Sequence, residues 1–417
     1  MGFQTGLSGL NAASKSLDVI SNNVANSGNI GFKFANTQFA DVYAAALNGA
    51  TAGVQVGIGT TVGGVNQIFS QGNISPTNNP LDVAINGAGF FRVEQTDGSV
   101  AYTRNGQFEV DKDGFIVGGP GYKLTGYTAN AAGVILPAQP EPLQVDTADL
   151  QPNITTEVRL GMNLDSRAQI FDTSAGDPAF DELDPTTYSS STSVSVYDTL
   201  GNAHVLTLYF RKIPASGSGV GDWEMYTQID GGTASTTPIS VQFDSSGTLI
   251  SSSPTTITID FDNVAFGGAL DFDVDLFMDA TTQYGSAFGV NSQAQDGYAS
   301  GRLSGVTIDR DGIILGRYSN GQSRNLGQIV LANFQAPNGL LSLGGNLWSE
   351  GPASGQPLVG APGSGSLGLL SAGAVEESNV DLTQELVNMI TQQRAYQANA
   401  QSIRTQDQIL QTLVNLR

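Results

Sequence analysis

Apolar residues recur at every seventh position at both ends of this chain, and no comparable row lies between them. From Phe3 the row runs through Leu10, Leu17 and Val24, with Ala13 and Ile20 three residues further on. Near the other end it runs through Leu382, Met389, Tyr396, Ile403 and Leu410, with Leu386, Ala400 and Val414 beside it. A sustained seven-residue repeat predicts helices packed on other helices along a narrow seam. The first helix is expected over 5–24, ending in the Asn-, Ser- and Gly-rich stretch 21–29, whose residue types tolerate left-handed helix ends. The second is expected from about 378 to 416. A helix of about twenty residues is marginal alone, and the Gly-rich flanks offer no helical partner. The two helices therefore either pair within one monomer or pack on copies of the chain, and packing between copies satisfies both stripes.

Between the ends the pattern changes to β-strand and turn. Residues 82–85 and 89–93 read as strands, and 108–110 pairs with 115–117 across Asp111-Lys112-Asp113-Gly114, where Gly is free to take positive φ. A similar phrase recurs over 306–314, so one β domain is expected from two segments, 80–145 and 284–350. The block 146–283 interrupts it. Its expected strands are 205–210, 223–227, 257–261 and 270–278. In the last of these Leu270, Phe272, Val274, Leu276 and Met278 alternate with Asp271, Asp273, Asp275 and Asp279, as a half-buried sheet requires. Residues 29–79 and 351–371 read as extended connecting regions. The expected fold is a mainly β multidomain protein with α-helical termini (1–28 with 372–417) forming a coiled-coil-like pair. One β domain is built from two segments, and a second β domain is inserted into it.

Charge sharpens this division. The net −21 is concentrated in 146–283, which holds twenty Asp/Glu against four Lys/Arg, whereas 1–80 and 284–374 are balanced. A separately folded, well-solvated insert is the expected consequence. No basic stripe supports nucleic-acid binding, and no run of about 18 apolar residues supports membrane insertion. The N-terminus lacks a basic leader followed by an apolar core, so no cleaved signal peptide is expected. With 0 cysteines, disulfides, thiolate metal sites and Cys nucleophiles are excluded.

Candidate chemistry is thin. His204, the only histidine, has no partner identifiable from sequence and reads as an ordinary strand residue. Asp271, Asp273 and Asp275 lie about 6.6 Å apart along one strand face, too far to converge on Ca²⁺. The Asp-x-Asp-Gly phrases lack the other ligand positions of a calcium loop and read as turns. Gly57-Ile58-Gly59-Thr60-Thr61-Val62-Gly63 lacks the third glycine and the strand–helix context of a nucleotide loop. No enzyme activity, cofactor or metal is expected.

The ends, in contrast, carry long ordered motifs. Ser8-Gly9-Leu10-Asn11-Ala12-Ala13, then Leu17-Asp18-Val19-Ile20-Ser21-Asn22-Asn23-Val24-Ala25-Asn26 and Gly31-Phe32-Lys33, resembles the N-terminal signature of bacterial flagellar rod and hook proteins. Glu377-Ser378-Asn379-Val380-Asp381-Leu382 and Gln393-Arg394-Ala395-Tyr396-Gln397-Ala398-Asn399-Ala400-Gln401 resembles their C-terminal signature, and 405–417 is similar to the hook branch. Leu81-Asp82-Val83-Ala84-Ile85, Tyr102-Thr103-Arg104-Asn105-Gly106 and Leu124-Thr125-Gly126-Tyr127 also fit. Gly28 and Ala88 depart from the family's usual polar residues. The rod members are much shorter and lack so large an acidic insert.

The resemblance implies a subunit that self-assembles into a hollow, curved, flexible tube linking rod to filament. It implies export through the flagellar type III apparatus to an extracellular position. Its implied partners are copies of itself, the hook cap, the distal rod and the hook–filament junction proteins. Paired terminal helices would line the tube, the two-segment β domain would surround them, and the acidic insert would lie outermost. The expected assembly interface is Leu10, Leu17, Ile20, Val24, Asn22, Asn23, Asn26 and Phe32 with Leu382, Leu386, Met389, Tyr396, Ile403 and Leu410. Gln392, Gln393, Gln397, Gln401, Gln406, Gln408 and Gln411 are candidates for a wetted channel face. Other axial components, or a β-rich adhesin or glycan-binding module, are the alternatives.

Overall fold

The computed structural model describes residues 2–42, 57, 59–119, 121–215, 221–250, 255–259 and 271–415. Leu270, Ile58 and the end of the strand expected over 257–261 lie outside them, as does the side chain of Val414. Two helices, α1 (Gly2–Ala25) and α2 (Leu382–Asn415), bracket a set of β-strands. This is the mainly β, multidomain arrangement with helical ends that the pattern predicts. The Asp381 carboxylate accepts the backbone N–H groups of Thr383 and Gln384 and so caps α2, satisfying donors that would otherwise be orphaned. Past α1, Gly31 takes φ 71°. A Cβ there would stand 2.5 Å from the Asn105 backbone nitrogen, so only glycine passes this point of the Gly31-Phe32-Lys33 motif.

The chain divides into two compact units. The first comprises 1–147, 304–317 and 323–417. After α1, β1 (Ala35–Val42) and β2 (Gly59–Gln67) form an antiparallel pair, so 59–63 of the glycine-rich stretch belongs to a strand and not to a phosphate loop. The short β3 (Ile74–Pro76) pairs with Ala374–Glu376. The two β segments interleave: Ser323–Ile329 pairs with Lys123–Thr128, and Leu331–Asn333 pairs with Phe90–Glu94. An aromatic core of Phe90, Tyr102, Phe334 and Trp348, with Phe69 packed against it, fills one face. The Asp111 and Asp309 side chains each accept two backbone N–H groups within their own turns. The Asp-x-Asp-Gly phrases therefore hold turns through local bonds.

The second unit comprises 148–303 and 318–322. Two four-stranded sheets enclose one apolar core that includes Phe210, Trp223, Phe243 and Met278. Phe272, Val274, Leu276 and Met278 point inward, while Asp273 and Asp275 accept hydrogen bonds from Thr258 and Thr256 on the adjacent strand. The acidic face is thus a cross-strand Thr–Asp ladder. The limits differ from the expected 146 and 283. The strand Gly289–Gln295 pairs antiparallel with Glu157–Asn163, and 150 and 153 bridge to 301 and 298. Sheet pairing, which composition does not register, carries the unit on to 303. His204 is buried between Asp230 Oδ2 at 2.6 Å and Asp198 Oδ2 at 3.3 Å, partners that come from two different turns.

Candidate assembly interface

The helices α1 and α2 lie antiparallel. Gly6 and Gly9 of α1 face Ile403 and Asn399, where an added Cβ would come within 2.9 Å in each case. At the far end of α1 the Asn23 side chain donates to Glu385 Oε2 at 2.9 Å. The shared seam follows Gly6, Gly9, Ala13, Ser16, Ile20 and Asn23 at a three–four spacing, and the small side chains of its first four positions let the backbones come close. Opposite it run Glu385, Gln392, Asn399, Ile403 and Gln406, so α2 contributes polar side chains to this contact. The expected pairing of the helices holds, but most of the large apolar residues lie elsewhere.

Helical geometry locates them. At about 100° per residue, Phe3, Leu7, Leu10, Leu17 and Val24 lie roughly a quarter turn from the seam on α1. Leu382, Leu386, Met389 and Tyr396 lie roughly a quarter turn from it on α2, in the same rotational sense. Because the helices are antiparallel, both rows open onto the same side of the pair. The opposite side is occupied by the β1–β2 hairpin: Thr60 N donates to Ser8 Oγ, and Val19, Phe34, Thr37, Glu385 and Thr391 border a cavity of about 300 Å³. Among the described residues, nothing comparable covers the apolar side. Phe3 is 48% exposed, Leu7 44%, Leu382 45%, Leu386 45% and Tyr396 37%.

Of the other residues expected at the interface, Leu10, Leu17, Val24, Asn26 and Met389 are half-buried and Asn22 is exposed. Ile20, Asn23 and Phe32 are buried within the monomer, and Ile403 is half-buried under Gly6. These four are internal to the protomer. Leu410 is exposed where α2, ten residues longer than α1, runs past its end. Among the glutamines, Gln392 and Gln406 are half-buried on the seam, whereas Gln393, Gln397, Gln401, Gln408 and Gln411 are exposed.

A buried charge cluster at the root of the helix pair was not visible in the sequence. The Glu376 carboxylate, fully buried, accepts from Lys33 Nζ at 2.6 Å, Arg104 Nη1 at 3.0 Å and Gly72 N at 2.8 Å. Lys33 Nζ also donates to Ser70 O, Arg104 Nη2 donates to Gly87 O, and the Arg104 guanidinium lies 5.3 Å from the centre of the Phe90 ring. Burial lowers the pKa of both Lys33 and Arg104, against the pull of Glu376. Around the cluster Asn379 accepts from Phe34 N and donates to Ile68 O and Ser70 O. Asn23 holds both backbone groups of Ala35. Lys33, Arg104 and Asn379 all stand in the motifs quoted above, so a search for polar residues in those motifs would have flagged them. Glu376 lies one residue outside.

Comparison with known proteins places this architecture. Four family models match: a flagella basal body rod protein model over 3–33, a flagellar hook protein FlgE/F/G D1 domain over 84–157, a flagellar basal body protein FlaE D2 domain over 163–298, and a flagellar basal body rod FlgEFG protein C-terminal model over 371–416. The chain is 41% identical to the flagellar hook protein FlgE of Salmonella typhimurium over 100% of both chains. It belongs to the flagellar hook protein family. The Escherichia coli member is 40% identical over 100% of both chains, and the Borreliella burgdorferi member 32% identical over 99% of this chain and 98% of its own. The crystal structure of a Helicobacter pylori flagellar hook protein, FlgE2, matches with a TM-score of 0.53 at 16% identity. It covers 74% of this chain and 100% of that one, a likeness of fold.

Proposed function

We propose that this chain is the structural subunit of a bacterial flagellar hook, polymerising through its terminal helices into a hollow, curved, flexible tube that transmits torque from rod to filament. The observation that carries the reading is the two-helix apolar side that the described residues leave exposed, in a chain that aligns end to end with hook proteins. Burying that side against neighbouring copies desolvates apolar area at roughly 25 cal/mol per Å². The rows Leu10, Leu17 and Val24 with Leu382, Leu386, Met389 and Tyr396 form the contact between copies. Ile20, Asn23, Phe32 and Ile403 support it from within the protomer.

The same reading assigns an extracellular position in the flagellum, reached through the type III export apparatus. It also assigns contacts with the hook cap, the distal rod and the hook–filament junction proteins. The acidic unit faces outward, where like charges stay hydrated and are screened within about 8–10 Å. The exposed glutamines of α2 line the channel. Electron microscopy of the purified chain under assembling conditions tests the central claim: hollow tubes are expected, and a persistent monomer would overturn it. A map of the tube that places Gln393, Gln397 and Gln401 in protein contacts would remove the channel assignment alone.

A further inference from the structure

We propose that Glu376 is a positioning residue for assembly: its buried carboxylate gathers the two chain ends and the β core into one charged clasp that fixes the direction in which the helix pair leaves the β-strands of the same unit. The inference rests on the assembly reading for its purpose but on geometry for its content.

Four stretches of chain converge on this one residue. Lys33 is the last residue of the exit from α1, Gly72 precedes β3, Arg104 belongs to the β core, and Glu376 ends the strand that leads into α2. The Glu376 backbone completes the knot, its carbonyl accepting from Gly31 N at 2.8 Å. Partners 343 and 272 residues away in sequence meet on the two oxygens of a single side chain. Asn23, Asn379 and Glu385 extend the clasp into the last turn of α1 and the first turn of α2.

The chemistry suits orientation better than cohesion. Two cations share one anion, so the cluster carries an uncompensated positive charge where side chains are almost wholly buried. Buried ion groups of this kind add little net stability compared with well-packed apolar residues, and their best-attested use is to select one geometry among several. Directional bonds do this: Lys33, Arg104 and Gly72 approach the carboxylate from three sides, and a rotated helix pair would leave a charged donor buried without its acceptor. Apolar contacts at the same place would tolerate small rotations at little cost. A tube whose neighbours meet along one narrow apolar side needs every protomer to present that side at the same angle.

The test uses the full chain, whose lack of cysteine permits clean labelling at Lys112→Cys in the β core and Gln397→Cys on α2, both exposed. Spin-label distances in the monomer are expected to form one narrow distribution in the parent. In Glu376→Gln the distribution should broaden at least twofold while the Trp348 emission of the β core is unchanged. The apolar triple variant Lys33→Met, Arg104→Leu, Glu376→Leu removes the charge imbalance and serves if the single variant does not fold. It should fold with the parent's melting temperature and still show the broad distribution, and its tubes should be polymorphic or absent. A narrow, parent-like distribution in a folded variant of either kind overturns the proposal. If the distances respond but the parent itself makes no tubes, the assembly reading fails and the positioning role stands.

Discussion

Removing the one anion of the Lys33–Glu376–Arg104 cluster should cost far more than removing one of its two cations. In Glu376→Gln the shape is kept, but Lys33 Nζ and Gly72 N converge on Oε1 and Arg104 Nη1 on Oε2. Whichever way the new amide turns, its NH₂ faces a donor, and two cations remain buried without a countercharge. Breaking a buried pair in this way costs about 3–5 kcal/mol. Lys33→Met, by contrast, leaves Glu376 balanced by Arg104 and still bonded to Gly72. The Ser70 carbonyl it abandons keeps the Asn379 side chain at 3.2 Å. That volume-conserving change should cost less than about 1.5 kcal/mol. At about 2–4 °C per kcal/mol for a domain of this size, Glu376→Gln should lower the melting transition of its unit by roughly 6–20 °C and Lys33→Met by less than about 6 °C. The assay is built into the chain, because its two tryptophans fall one in each unit, Trp223 and Trp348. A Trp223→Phe background leaves Trp348, 2% exposed in its aromatic cluster, as the reporter of the right unit. Equal losses from the two substitutions would refute the charge argument.

Leu386→Glu, on the uncovered row, should abolish tube formation in a sedimentation assay while changing monomer stability by no more than about 0.5 kcal/mol. Ile403→Glu, beneath Gly6, should also lower the helical circular dichroism of the monomer, and normal tubes from Leu386→Glu would contradict the placement of the interface. Deleting 148–303 should leave a chain that still assembles, with altered curvature or stiffness seen by electron microscopy. Deleting only 146–283 strands Gly289–Gln295 without its partner and should yield aggregate, and the reverse ranking would count against the unit boundary. Burial raises the pKa of Tyr102 and Tyr226 to about 12 from an ordinary 10.0. The unfolded chain therefore sheds these protons first, so their contribution to stability is complete below pH 10 and is lost as pH rises towards 12. Lys33 acts in the opposite sense: with its folded pKa depressed below 10.5, stability gains as pH rises through that interval. Trp348 melts across the alkaline range should fall more steeply in Lys33→Met than in the parent.

Much of this protein was legible from residue order alone. Helices at the ends, strands in the middle, the acidic insert and the family follow from periodicity, charge and local motifs, because each is written in residues close together in sequence. The Asp111 and Asp309 turns are legible for the same reason: aspartate and glycine a few positions apart bond to their own backbone. Periodicity also placed the apolar rows on the helices correctly, but it did not say what they face. Gly6, Gly9, Ala13 and Ser16 form the seam because they lack bulk, and the absence of a side chain leaves no hydrophobic signal. Leu382, Leu386 and Tyr396 lie off that seam and stay exposed.

Only the tertiary structure decided three further matters. The insert ends at 303, not 283, because a strand is assigned by its hydrogen-bonding partner and not by its composition. His204 has two carboxylate neighbours, drawn from turns at 198 and 230. The clasp on Glu376 joins Lys33 and Arg104 across hundreds of residues, and nothing local marks this glutamate for burial among the chain's 38 acidic residues. Local order determines what each segment prefers to be. Which side chains lose their water together depends on where distant segments meet, and only the folded chain fixes that.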